Sequence, residues 1–193
     1  MKIGVDVSQI AFEQTGVANY VKHLTLSLLK HDRENTYIFF FSSLRRSLPL
    51  EYIKEAKKLG QNRLQIKMYR FPPSFLSTLW NTLHKVPIET FVGNVDVFIS
   101  SDWYQPPSQK AKLTTILYDL IVYRYPKETH ARTSFSFKNF ALKQNIVSVQ
   151  KKRLKWVKKE CDLIFCISKA TKRDAMDILG LEEEKLVVTY PGV

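Results

Sequence analysis

The run TYIFFF, Thr36–Phe41, has no polar face to turn toward water. An extended segment of this kind must be covered on both sides, as is a strand of a parallel sheet flanked by helices. Comparable short apolar runs recur along the chain: KIGVDV, RLQIKMY, VDVFIS, KLTTILYDL, CDLIFCIS and KLVVTY. Stretches of helical periodicity separate them. Val17, Tyr20, Val21, Leu24 and Leu28 fall on one apolar stripe. LPLEYIKEAKKLG carries Pro49 early and Gly60 late, the asymmetry of a helix start and stop. FPPSFLSTLWNTLHKVPIETFVG reads as one or two helices broken near Pro87. A long helix is expected over residues 134–160, and another over Lys169–Leu179 with Gly180 as its cap. Strand and helix alternating without runs of hairpins imply an α/β fold. The expected form is a Rossmann-like, doubly wound, mostly parallel sheet of about seven strands with helices on both faces. A chain of 193 residues is long enough for one such domain with a substantial core.

Open parallel sheets bind ligands at the carboxyl ends of their strands, near the switch in strand order. That rule selects the segments after KIGVDV, VDVFIS, KLTTIL and CDLIFCI. The first, SQIAFEQTGVANYV, holds a single glycine, Gly16, so it is neither a dinucleotide fingerprint nor a Walker A loop. What remains is a helix N-terminus whose free N–H groups suit an anion, beside a glycine that permits close approach. A glycine that merely relieves a turn is the plainer alternative. Trp103, Tyr104, Tyr118, Tyr123 and Tyr125 crowd the second and third segments. Each pairs a flat apolar ring with a polar edge, which suits a sugar and equally suits packing of the loops themselves. Asp119, in LYDL, follows a buried apolar run, where a carboxylate needs a partner or a task, the plain one being to cap the next turn.

The motifs KIGVDVSQI…TGVANYV, DVFISSDWYQPP, TTILYDLIVYRYP, CDLIFCISKATKRD and EKLVVTYPGV occur in this order. Together they resemble the N-terminal domain of glycosyltransferase family 4, retaining enzymes of the GT-B fold. The resemblance implies that residues 1–193 form the acceptor-side half of such an enzyme, with the donor-binding C-terminal domain absent from the chain. It implies transfer of a sugar from a nucleotide diphosphate sugar to a saccharide or lipid-linked acceptor, with no metal and no cofactor beyond the donor substrate. By position, Asp119 and Tyr118 are the candidate catalytic pair. Gly16, Val17, Asn19, Tyr20, Ser101, Trp103, Tyr104 and Arg124 are candidate substrate-binding residues. Tyr118 stands where the family usually has histidine, and Ile99 stands in place of another family histidine. A phenol near its ordinary pKa of about 10 can hydrogen-bond but is a poor proton shuttle at neutral pH. A stand-alone saccharide- or nucleotide-binding module, or one half of a split enzyme, are the alternatives.

A formal charge of +12 favours anionic partners. The densest basic stretch is KKRLKWVKK, with Lys151, Lys152, Arg153, Lys155, Lys158 and Lys159. Phe140, Val147, Leu154 and Val157 form the stripe facing the core, which leaves the cations as a solvated face. Their sharper use is attachment to an anionic membrane surface, with FPPSFLSTLW and SFSFKNF supplying apolar contact. Nucleic acid is ranked below this, because no helix-turn-helix, zinc-finger or RNA-binding signature accompanies the charge. Neither a signal peptide nor an apolar run of transmembrane length is read, so the expected location is cytoplasmic, peripheral on the inner membrane face. The two cysteines, Cys161 and Cys166, are expected to be free and buried, and the scattered histidines suggest no metal site.

Overall fold

The computed structural model describes residues 1–124 and 146–191. Seven strands form one sheet: β1 (Lys2–Asp6), β2 (Thr36–Ser42), β3 (Leu64–Tyr69), β4 (Val97–Ser100), β5 (Lys112–Leu117), β6 (Cys161–Cys166) and β7 (Leu186–Val188). Their order is β3-β2-β1-β4-β5-β6-β7, and every neighbouring pair is parallel. The chain winds from β1 out to β3, then returns to β4 beside β1 and winds the other way. The switch in strand order therefore lies between β1 and β4, as a doubly wound sheet requires.

Apolar alternation within β2 divides the core. Tyr37, Phe39 and Phe41 pack with Val5, Leu29 and Tyr52 on one face of the sheet. Ile38 and Phe40 pack with Trp80, Ile88 and Phe98 on the other. Covering the first face are α1 (Gly16–His31) and α2 (Leu50–Gly60). On α1 the buried residues are Ala18, Val21, Thr25, Leu26 and Leu29. Of the expected stripe only Val21 is buried; Val17, Tyr20, Leu24 and Leu28 are half-buried. The helix is rotated because Thr25 can be buried at little cost: its hydroxyl donates to the Val21 carbonyl at 2.8 Å and lies 3.0 Å from the Tyr52 hydroxyl.

The segment after β3 forms α3 (Pro73–Leu76), runs on as a π-helical stretch, Ser77–Thr82, and breaks before Pro87 as expected. His84 and Val86 take left-handed backbone conformations there, with φ of 52° and 63°. The short α4 (Glu89–Val92) then fixes the approach to β5. Glu89 Oε1 accepts from the Ser108 hydroxyl at 2.7 Å and from the backbone N–H groups of Gln109, Lys110 and Ala111 at 3.0–3.1 Å. Burial works against ionisation, but these bonds outweigh it and hold the carboxyl at about 2.

After the short α5 (Ile121–Arg124), description resumes at α6 (Ile146–Glu160). The expected first part of that helix, with Phe140 and SFSFKNF, lies outside the described residues, as does Tyr125. The last helix, α7 (Lys169–Leu179), has its expected bounds. Ser168 Oγ accepts from the Thr171 N–H at 3.0 Å, and Gly180 closes the helix at φ 60°, a conformation that favours glycine. Cys161 and Cys166 bracket β6 as free, buried thiols, and burial is the main force pushing them up to about 12 and 11. No helix among the described residues is long and apolar enough to cross a membrane.

Candidate functional site

The loop after β1 turns through a short 3-10 segment, Ser8–Ala11, before α1 begins. Thr15 caps the helix, its hydroxyl oxygen accepting from the Ala18 N–H at 3.1 Å and its carbonyl from the Asn19 N–H at 3.1 Å. No described residue accepts from the N–H of Gly16 or Val17. A Cβ added at Gly16 would meet nothing within 4 Å, and Gly16 is not in a left-handed conformation. Neither packing nor the turn requires this glycine, so the plainer reading of it fails. Its missing side chain leaves two helix-start N–H groups open to a ligand.

Gly16 and Val17 border a cleft of about 600 Å³. Gly16, Val17, Asn19, Tyr20 and Tyr118 line it, which brings together five of the expected residues. His23, Leu24, Ser27, Ile167, Tyr190 and Pro191 complete it and were missed. Val17, Tyr20 and Leu24, members of the expected apolar stripe, thus form the cleft's apolar wall. Tyr20 and Tyr118 meet edge to face, with centroids 5.5 Å apart, and the Tyr20 hydroxyl lies 3.2 Å from Thr189 Oγ1. Burial, and then the charge of Asp102, raise the Tyr118 phenol well above its ordinary value. Tyr118 therefore stays protonated and offers a hydrogen bond rather than a proton shuttle.

Other expected site residues are placed differently. β5 ends at Leu117, so Asp119 lies beyond the strand and is exposed. Its Oδ1 accepts from the Ile121 N–H at 3.0 Å, the turn-capping role. Tyr104 is buried and packs on Trp80, with centroids 6.0 Å apart, so it cannot serve as a stacking surface. Trp103 is half-buried, its ring 6.4 Å from that of Phe12. Ser101 is buried in hydrogen-bonding contact with Asp6. Arg124 bonds Asp174 of α7 through Nε at 3.0 Å and also through Nη2, so its guanidinium is committed to a neighbouring helix. Tyr123 lies under the Lys151 ammonium, 5.2 Å from its ring centroid.

The carboxylates at the switch point were missed. Asp6, at the end of β1, is buried and accepts from the Ser8 N–H at 2.9 Å. Burial raises its pKa, with hydrogen bonds from Ser8 and Ser101 opposing the rise. Asp102, just past β4, pairs with Arg153 at 3.4 Å and its side chain is 28% exposed. Burial, partly offset by Arg153 and reinforced by the charge of Asp119, brings it up to about 6. A carboxyl raised in this way binds its proton more tightly folded than unfolded. Between about pH 4 and pH 6 its contribution to stability therefore falls as pH rises. We expect Asp102→Asn to remove that fall. By denaturant unfolding, the variant should gain on the parent by about 2 kcal/mol between pH 4 and pH 7. A constant difference across this range would rule the assignment out.

Arg153 is the largest departure on the basic helix. Lys151, Lys152, Lys155, Lys158 and Lys159 are exposed as expected, but Arg153 is fully buried. Its Nε donates to the Ser101 carbonyl at 3.1 Å and its Nη2 to Thr115 Oγ1 at 2.6 Å, besides the Asp102 pair. It belongs to the inward face of α6 because Gln150 and Val157 lie one helical turn to either side. The spacing of three and four residues was the signal available in the sequence. Arg153 thus ties α6 to the ends of β4 and β5, immediately beneath the cleft loops.

A family comparison follows this geometry. The sequence model of Glycosyltransferase Family 4 matches residues 14–193, nearly the whole chain. Among curated proteins, none matches it. The match begins just before the glycine of α1 and takes in every residue that lines the cleft. It agrees with the seven-stranded parallel sheet, the architecture of one half of a GT-B fold. The chain belongs to glycosyltransferase family 4, as an N-terminal domain of such an enzyme.

Proposed function

We propose that this domain is the acceptor-side half of a retaining glycosyltransferase that uses a nucleotide diphosphate sugar, with the donor held mainly by a second α/β domain. The observation that carries the reading is the open start of α1. The N–H groups of Gly16 and Val17 have no acceptor among the described residues, both residues line the cleft, and no local contact requires the glycine. As the sugar–phosphate bond breaks, negative charge grows on the leaving diphosphate. Fixed N–H donors and the positive end of a sixteen-residue helix stabilise that charge without reorganising. Tyr118, kept protonated, donates a hydrogen bond at the border between acceptor and donor sugar. Tyr20 and Tyr190, which line the same cleft, supply ring surface.

The test is an assay of a protein carrying this domain together with its donor-binding partner. Incubation with a nucleotide diphosphate sugar and acceptor should release nucleoside diphosphate. Proton NMR should show the product's anomeric configuration to be that of the donor. An inverted product would overturn the retaining mechanism, and absence of any donor consumption would overturn the transferase reading.

A further inference from the structure

The carboxyl ends of β2 and β3 carry a second, chemically distinct feature. The loop Ser43–Leu48 stands between two hollows of about 610 and 310 Å³. Arg45 and Arg46 line both, Arg70 lines the larger, and no carboxylate lines either. Arg46 is held in place: its guanidinium sits 4.6 Å from the Phe12 ring centroid and its Nη1 donates to the Ala11 carbonyl at 3.2 Å. None of these arginines pairs with a carboxylate among the described residues. Other arginines are committed, Arg63 to backbone carbonyls, Arg124 to Asp174 and Arg153 to Asp102.

Apolar surface lies against this cationic group. Leu44, Leu50 and Met68, all lining the larger hollow, are 52%, 73% and 53% exposed. Three unpaired cations beside three exposed aliphatic side chains form an amphiphilic surface, and its charge complement is an anion joined to an apolar chain. Arginine suits phosphate oxygens in particular, because its planar fork donates two parallel hydrogen bonds. The surface lies on the same carboxyl edge of the sheet as the cleft, and Phe12 lines its smaller hollow.

We propose that Arg45, Arg46 and Arg70 bind the phosphate or diphosphate group of an amphiphilic acceptor whose apolar chain lies over Leu44, Leu50 and Met68. This rests on the reading of the domain as the acceptor side. It assigns the acceptor to a class, a phosphorylated lipid, and places its anionic end beside Phe12, at the carboxyl ends of β2 and β3.

Calorimetric titration of the chain with geranyl diphosphate and with inorganic diphosphate, at physiological salt, tests this. Geranyl diphosphate should bind about tenfold more tightly, from its apolar part. Arg45→Ala/Arg70→Ala should weaken both probes by at least about tenfold, as loss of charge-assisted bonds does. Leu50→Ser/Met68→Ser should reduce geranyl diphosphate to the level of inorganic diphosphate and leave the latter unchanged. These positions are exposed, and matched melting curves would show each variant folded.

Equal affinity of the parent for the two probes would mean a free-phosphate site and would overturn the lipid assignment. Loss of binding in Lys155→Ala/Lys158→Ala rather than in the arginine variant would move the anion to α6 and overturn the site. Competition by a nucleoside diphosphate would make the hollow a donor site. Failure of the transferase reading registers separately, in the donor-consumption assay.

Discussion

Replacing Arg153 by leucine is expected to destabilise the domain by about 3–5 kcal/mol, chiefly the cost of leaving buried acceptors without their donor. The side chain is fully buried and bonds the Ser101 carbonyl, Asp102 and Thr115. Leucine fills part of the space but leaves three acceptors without a donor, two of them on residues that are themselves buried. Lysine keeps the charge but cannot reproduce the fork, so Arg153→Lys should fall between parent and leucine. The neighbouring cations provide the control. Lys151→Ala and Lys155→Ala, on the exposed face, should each shift stability by no more than about 0.5 kcal/mol. Urea unfolding of the four variants measures this. An Arg153→Leu variant as stable as the lysine variants would show that the buried network contributes nothing.

Gly16→Val is expected to leave stability almost unchanged and to lower kcat/KM by about 10²–10³, the loss seen when a preorganised donor is removed from a developing oxyanion. The usual reason for a glycine-to-valine defect, a clash or a forbidden backbone angle, does not operate, because the added Cβ meets nothing within 4 Å. Valine would instead project its methyl groups from the helix start and hold the diphosphate away from the Gly16 and Val17 N–H groups. Alanine, smaller, should give an intermediate loss. Melting temperature and turnover must be measured on the same preparations, with the donor-binding domain present. Turnover at the parental rate would remove the helix start from the mechanism. A large fall in melting temperature would mean that the glycine serves the fold.

Much of the architecture was legible because β2 and β5 are buried runs that no amphipathic helix could use, and β4 and β6 are short apolar ones. The end of α7 was equally legible, since Gly180 takes the left-handed conformation that its position suggested. The site was legible where it follows the strand ends, at Gly16, Tyr20 and Tyr118. It failed where a residue's meaning depends on a partner distant in sequence. Asp102 reads as a loop residue until Arg153, 51 positions later, is brought against it. Arg153 reads as one more cation until the helix turns it inward. Trp103 and Tyr104 are adjacent in an irregular segment, where no periodicity tells which ring faces the core. Along α1 two apolar stripes lie side by side. The stripe carrying Thr25 faces the core, its hydroxyl bonded to the Val21 carbonyl and within hydrogen-bond distance of a tyrosine hydroxyl from α2.

The two thiols that bracket β6 carry a practical consequence for studying the cleft. A thiol alkylates through its thiolate, and both are shielded and hold their protons to about pH 12 and 11. They are the chain's only cysteines. The folded protein therefore presents a silent background to maleimide reagents. A single cysteine introduced at Ser27, on the cleft wall, would take a fluorophore there alone and report, as a change in emission, whatever enters beside it.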